Sequence, residues 1–466
     1  MTAMFASLAN PNYRRYAGGQ AISVIGTWMQ SVAQSWLVLE LTDSGTALGV
    51  TVALQTLPVL LLGPYAGVIA DRMDKRRLMM GLQAMMAALA LVLGLLTLTH
   101  VVSLWQVDVI ALLLGLNTAF ENPARQSFVL ELVGVEHVRN AVSLNSTMAN
   151  VGRLIGPAIA GVVIAGGGIG VCFILNAVSF VAVISSLWRL DTTLLQPAVP
   201  TPRAKGQLRE GLRYVRRTPS LMVSLVVLAV VGALAYEFQV VLPIVASRTF
   251  DGGSEAFGFM TAAMGIGAVV GGLFVAARGR TGIRALTVST AGFGVVLALA
   301  AMAPTLWVEL IALAAVGAAS ISVMSIGNST LQLNAAPSMR GRVMALWAVA
   351  FLGTTPIGGP IAGRCSDYLD GRGGLVLGAA GCFAAALFGW LTLRSLRTAQ
   401  PGERVAEISD TPEDVAVGSD LERASTLAAQ RASQAPKASK LYGRPRKSCT
   451  NSAASLRPPP AKIVSR

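Results

Sequence analysis

Apolar stretches of about twenty residues recur along most of the chain, each closed by glycine, proline or charge. A stretch of that length can cross the roughly 30 Å hydrocarbon core of a bilayer as a helix. The pattern predicts about twelve such helices. Six fall near 16–40, 46–70, 78–100, 103–122, 141–165 and 169–189. Six more fall near 220–246, 255–277, 284–303, 305–326, 342–364 and 373–394. The segment between the two sets is polar, with Pro197, Pro200 and Pro202 and several basic residues. Within it Leu208, Leu212 and Val215 are spaced for one face of a short surface helix. Beyond about Thr398 the apolar runs stop, and a tail rich in Ser, Pro and Ala passes from acidic to basic, a composition expected to stay disordered. The predicted organisation is a bundle over 1–190, a connecting loop over 191–218, a second bundle over 219–396 and a tail over 397–466.

The two halves echo each other. Gly156-Pro157-Ala158-Ile159-Ala160-Gly161 in the fifth predicted helix returns as Gly359-Pro360-Ile361-Ala362-Gly363 in the eleventh. A membrane chain built twice over is expected to form two pseudo-symmetric six-helix bundles around a central path. The fold class expected is all-α and integral to the membrane.

Composition narrows this further. Charged residues make up 13% of the chain against about 25% in ordinary soluble domains, and the mean hydropathy is +0.61. The 48 glycines suit helices that must approach closely where lipid offers little drive for association. A net charge of +14 invites a nucleic-acid reading, but the basic residues sit in alternate loops and the tail. Arg72, Lys75, Arg76 and Arg77 follow the second helix, and Arg203, Lys205, Arg209, Arg213, Arg216 and Arg217 lie between the halves. Arg278, Arg280 and Arg284 follow the eighth, and Arg340 and Arg342 the tenth. The opposite loops hold Glu40 and Asp43 or are bare, as over Gly166–Gly170. This asymmetry predicts both termini on the cytoplasmic side of an inner membrane. Arg248, Arg364 and Arg372 run against the trend, each with an acid nearby. No small-residue cleavage site follows a short apolar core, so the first helix is expected to remain. Cys172, Cys365, Cys382 and Cys449 have no metal or disulfide spacing. No phosphate-cradling loop, catalytic triad or dinucleotide fingerprint is present, so neither an enzyme nor a cofactor is expected.

Candidate functional residues are polar groups that hydrocarbon penalises. Gln20, Ser23, Thr27, Gln30 and Gln34 form a stripe on the first helix, suited to a cavity wall or to hydrogen bonds between helices. Tyr236-Glu237 places an acid deep in the seventh helix at a cost of at least about 2.5 kcal/mol. Glu237 is expected to face a cavity, pair, or carry a proton, with Arg153 its candidate counter-charge or, failing that, a ligand for an anionic group. Glu121 and Arg125 form an i, i+4 pair with a gate contact to Asp71 as the alternative. Asp108 and Glu309 are expected to stabilise helix N-termini.

Two motifs carry a resemblance. Gly67-Val68-Ile69-Ala70-Asp71-Arg72-Met73-Asp74-Lys75-Arg76-Arg77 resembles the loop signature of the major facilitator superfamily, with Asp74 in place of the second glycine. The second half keeps glycine and arginine over Gly272–Arg280 but has Ala276 where the acid would be. Gly152-Arg153-Leu154-Ile155-Gly156-Pro157-Ala158-Ile159-Ala160-Gly161 resembles the antiporter signature of drug-exporting members, with Ala160 replacing one glycine. Physically, Gly152, Gly156 and Ala160 make a small-residue seam, and Pro157 can bend the helix. Asn10-Pro11-Asn12-Tyr13-Arg14-Arg15-Tyr16, Gly26-Thr27-Trp28-Met29-Gln30 and Asn122-Pro123-Ala124-Arg125-Gln126 are similar to the enterobactin-exporter and macrolide-efflux branch. The resemblance spans about residues 8–395 and implies a monomeric, proton-coupled exporter of small apolar or amphipathic molecules by alternating access. The fourth helix lacks the membrane-embedded arginine that many proton-coupled exporters carry. The alternatives are a nutrient facilitator or symporter, and a lysophospholipid flippase.

Overall fold

Hydrocarbon offers no partner to an open amide, so each apolar stretch has to satisfy its own backbone as a helix. The computed structural model, which describes residues 3–196, 207–279, 281–337 and 339–398, is helical throughout, with no strand among the described residues. The first half comprises α1 (Pro11–Thr42), α2 (Gly45–Arg72), α3 (Lys75–Leu98), α4 (Leu104–Gly167) and α5 (Ile169–Trp188). A short α6 (Gln207–Arg217) follows. The second half comprises α7 (Pro219–Ala235), α8 (Phe238–Ile244), α9 (Ser254–Arg278), α10 (Ile283–Ala301), α11 (Leu306–Asn334), α12 (Arg340–Leu352), α13 (Thr355–Tyr368) and α14 (Gly373–Thr398). The tail expected to be disordered lies outside the described residues from 399 onward.

Among the described residues ten segments are long and apolar enough to cross a membrane. One of them, α4, runs 64 residues, more than twice the ~20 that one crossing needs. It reverses at Gly134, where φ is 71°, a conformation that glycine adopts without steric cost. The polar stripe keeps the 32-residue α1 out of the count. Counting α4 twice and adding α1 restores the twelve crossings. The stretch 123–140, expected to be a link, is instead helical through Pro123 and resumes directly after Gly134.

Local chemistry fixes the ends. The Asn10 side chain accepts from Asn12 N at 2.9 Å and opens α1, and Asp74 accepts from Arg77 N at 2.8 Å and opens α3. This capping role explains an acid where the related signature has glycine. Two crossings are broken. Pro356 displaces the carbonyl four residues earlier, and α12 accordingly stops at Leu352 before α13 starts at Thr355. The seventh crossing breaks at Tyr236–Glu237, and the Glu237 carbonyl accepts from Val240 N and Val241 N to start α8.

The halves meet along two related seams. The second crossing (α2) packs on α13, and the fifth (the later part of α4) packs on α9. The sequence echo marks one helix of each seam, the later part of α4 and α13. A β-carbon at Gly363 would collide with the Gly45 carbonyl, and one at Gly49 with the Gly359 carbonyl. On the other seam a β-carbon at Gly258 would lie 2.7 Å from Pro157 O, and one at Gly161 3.0 Å from Glu255 Cα. Gly152 and Gly156 face elsewhere, onto Val24 and Trp28 of α1 inside the first bundle.

All of these approaches lie away from the basic turns. The first bundle meets the second chiefly through α8, α9 and α13. Both α8 and α13 are the far segments of the broken crossings. The bundles are therefore closed against each other on the face opposite the basic turns. Gly363→Val should prevent this closure. Expression and helical content should hold while the distance between spin labels at Leu41 and Leu369 on that face lengthens relative to a matched Gly18→Val control.

Candidate functional site

The break in the seventh crossing sets Glu237 just beneath the α2–α13 seam. Its side chain is 4% exposed, and Oε1 has no hydrogen-bond partner. Thr355, in the first turn of α13, lies beside the carboxyl. A β-carbon at Gly358 would sit 2.9 Å from Oε1, and one at Gly359 3.6 Å from Oε2. The carboxylate thus rests against the two glycines through which α13 reaches α2. Arg153 forms no ion pair with it. That guanidinium lies 4.9 Å from the centroid of Trp28, on an exposed part of α4.

Aromatic groups line the same break. Tyr236 packs edge-on against Phe351 at 4.7 Å and Phe293 at 5.7 Å, and its hydroxyl donates to the Ser320 carbonyl. Trp347 stacks on Phe351 at 5.8 Å, and its indole nitrogen has no partner. An apolar wall holding an unpaired carboxyl and an unused N–H donor suits an amphipathic guest.

The polar stripe of α1 turns mainly towards its neighbours. Gln30 Oε1 accepts from Asn176 Nδ2 of α5 at 2.6 Å, and Gln34 Nε2 lies 3.5 Å from Gln55 Oε1 of α2. Both are buried, so here they bind helix to helix.

The basic turn after α2 is held from two sides, by α4 and by α5. Lys75 Nζ meets Glu131 Oε1 at 2.7 Å, both nearly buried. Arg76 donates through Nε and Nη2 to Leu187 O and Trp188 O at 2.8 Å, covering the carbonyl end of α5. Gly67 is buried, Arg72 and Arg77 are exposed, and the Asp71 side chain is outside the description. Glu121 and Arg125 pair at 3.0 Å, and Arg125 also donates to Asn122 Oδ1 at 2.9 Å. Removing one partner of a buried pair leaves an uncompensated charge and costs about 3–5 kcal/mol. Lys75→Met should therefore lower the detergent melting temperature sharply, and adding Glu131→Leu should recover most of the loss.

On the closed face lies a latch that sequence reasoning missed. Asp367, near the end of α13, accepts from Gly45 N at 2.7 Å, Thr46 N at 2.9 Å and Thr46 Oγ1 at 2.7 Å. It is a cap on the N-terminus of α2 supplied from the other bundle. Arg248 Nη1 meets Asp367 Oδ1 at 3.1 Å and Nη2 meets Asp43 Oδ1 at 3.3 Å. The sequence signal was Arg248 itself, a cation on the charge-poor face. Arg372 and Arg364 instead engage the Ala303 carbonyl at 2.7 Å and the Tyr368 ring at 5.4 Å. One further expectation is corrected. Asp108 accepts from Thr51 Oγ1 of α2 at 2.6 Å, because it lies past the first turn of α4. Glu309 does lie in the first turn of α11, fully buried and with no hydrogen-bond partner on either oxygen.

Comparison with known proteins places this geometry in context. A model of the transmembrane secretion effector family matches residues 2–415. A staphyloferrin A transporter of Staphylococcus aureus is 28% identical over 53% of this chain and 62% of its own length. A macrolide efflux protein A of Streptococcus pyogenes is 22% identical over 73% of this chain and 85% of its own. The chain spans about half to two thirds of the length of its first-ranked curated relatives. Among solved structures, an inward-facing bacterial homologue of the human lysosomal transporter Spinster superposes with a TM-score of 0.65. It shares 14% identity and covers 85% of this chain and 98% of its own. These likenesses are to transporters, not to enzymes.

Proposed function

Because the chain belongs to the transmembrane secretion effector family of the major facilitator superfamily, we propose that it exports small apolar or amphipathic molecules, of drug or siderophore kind, in exchange for protons. The observation that carries this reading is Glu237, a buried carboxyl without an ionic partner, placed in a helix break against the sealing glycines of α13. An intramembrane acid without a counter-charge is a functional site by default. The named activities of the relatives, staphyloferrin A transport and macrolide efflux, support the substrate class.

In this reading the basic turns face the cytoplasm, with both termini on that side. Residues 1–190 and 219–396 act as two bundles joined by 191–218. The closed face is then external, and a substrate enters from the cytoplasm to rest against Tyr236, Trp347 and Phe351. Loss of the Glu237 proton to the cytoplasm leaves a charge beneath the seam. That charge favours parting of α13 from α2 and opening of the Asp367 face. There the substrate leaves, a proton neutralises Glu237, and the seam closes again. Inside-out membrane vesicles energised to an acidic interior should accumulate an exported dye. Accumulation that survives full dissipation of the pH gradient would exclude proton coupling.

A lipid carrier is the second reading. It has in its favour an apolar crevice of about 560 Å³ along the α4–α9 seam, lined by Leu154, Ile159, Val162 and Ile266. Competition between lysophospholipid and dye for transport separates the two.

A further inference from the structure

The turn between α9 and α10 is the second-half counterpart of the basic turn after α2, with a chemical difference. Ala276 stands where the first half has Asp71, so this turn brings arginines without an acid. Arg278 closes α9, its guanidinium 4.3 Å from the centroid of Phe274. Arg284 lies exposed in the first turn of α10. Neither takes part in an ion pair among the described residues.

Both arginines line a groove of about 500 Å³ between α9, α10 and α11. Further in, its walls are Val275, Ile326 and the side chains of Ser289 and Ser322. Ile326 lies roughly 12 Å inside the end of α11 at 1.5 Å per residue, so the groove descends from headgroup level among the acyl chains. Its outer lip is apolar, with Phe274 54% and Val288 65% exposed.

We infer that this groove binds an anionic glycerophospholipid of the leaflet on the basic face, its phosphate held by Arg278 and Arg284 and one acyl chain by the apolar floor. The charge complementarity is direct, because guanidinium groups grip phosphate through paired hydrogen bonds and basic pockets between membrane helices favour such headgroups. A soluble anion satisfies the mouth but leaves the floor empty. A zwitterionic lipid fills the floor but brings a cation to the mouth.

Native mass spectrometry of the full chain, with phosphatidylglycerol and phosphatidylcholine of identical chains, tests this. The wild type should retain phosphatidylglycerol preferentially. Arg278→Gln/Arg284→Gln should cut that retention by about tenfold or more, while Arg213→Gln/Arg216→Gln on α6 should not. Equal loss in both pairs would mean diffuse surface attraction and overturn the site. Displacement by millimolar inorganic phosphate as readily as by short-chain phosphatidylglycerol would reduce it to an anion site and overturn the lipid. Should the double variant fold poorly, Ser289→Trp fills the floor and leaves both charges. Undiminished phosphatidylglycerol retention by that variant overturns the inference.

Discussion

Glu237→Gln is expected to fold, bind substrate and yet drive no proton movement, giving fluxes no larger than those of empty liposomes. The substitution keeps the shape that fits beneath Gly358 and Gly359 and removes only the ability to carry charge. Because Oε1 has no hydrogen-bond partner, the native carboxyl gains little there that an amide would lose. The melting temperature should therefore hold or rise. The wild-type transport rate should vary with the pH on either side of the membrane, and the variant profile should be flat. A variant that still couples substrate to protons would make Glu237 structural and move the carrier elsewhere.

Asp367→Asn should free the closed face. The carboxylate accepts from two backbone amides and a hydroxyl of α2 while meeting Arg248, so its charge serves both bundles at once. Hydrogen bonds to a charged group are worth about 1.5–3 kcal/mol net, and losing roughly 2 kcal/mol shifts a two-state equilibrium about thirtyfold. Spin labels at Leu41 and Leu369, exposed on that face, should report a short distance in the wild type. The variant should show a second, longer population. An unchanged distribution would reduce the latch to a surface cluster. Arg248→Gln should act in the same direction but more weakly, because the α2 amides keep their acceptor.

Much of the fold was legible because a bilayer enforces a simple rule, that apolar length makes a helix. The echo of Gly156-Pro157 in Gly359-Pro360 also marked the two inter-bundle seams, since only small residues allow α13 to reach α2 and α4 to reach α9. The stretch 342–364 reads in sequence as one helix, which passes over its break at Gly353–Thr354 although Pro356 follows it. The turn at Gly134 was not legible either, because a glycine among so many carries no local sign that its φ is positive. At the site, Glu237 and Tyr236 stood out because hydrocarbon penalises them. Pairing was the part that stayed hidden. Arg153 faces Trp28 rather than Glu237, and Asp367 finds α2 more than 300 residues away in sequence. Such partners depend on how two bundles dock, which periodicity along one helix does not contain.

The central claim, export coupled to protons, is tested most directly by purified wild-type protein in liposomes under an imposed pH gradient. Dyes, macrolides and a catechol siderophore would be offered while substrate and proton movements are recorded together. The account predicts that at least one substrate moves uphill as protons move down their gradient in the opposite direction, and that the exchange stops when the gradient is collapsed. Downhill passage that ignores the gradient would contradict it and make the protein a facilitator.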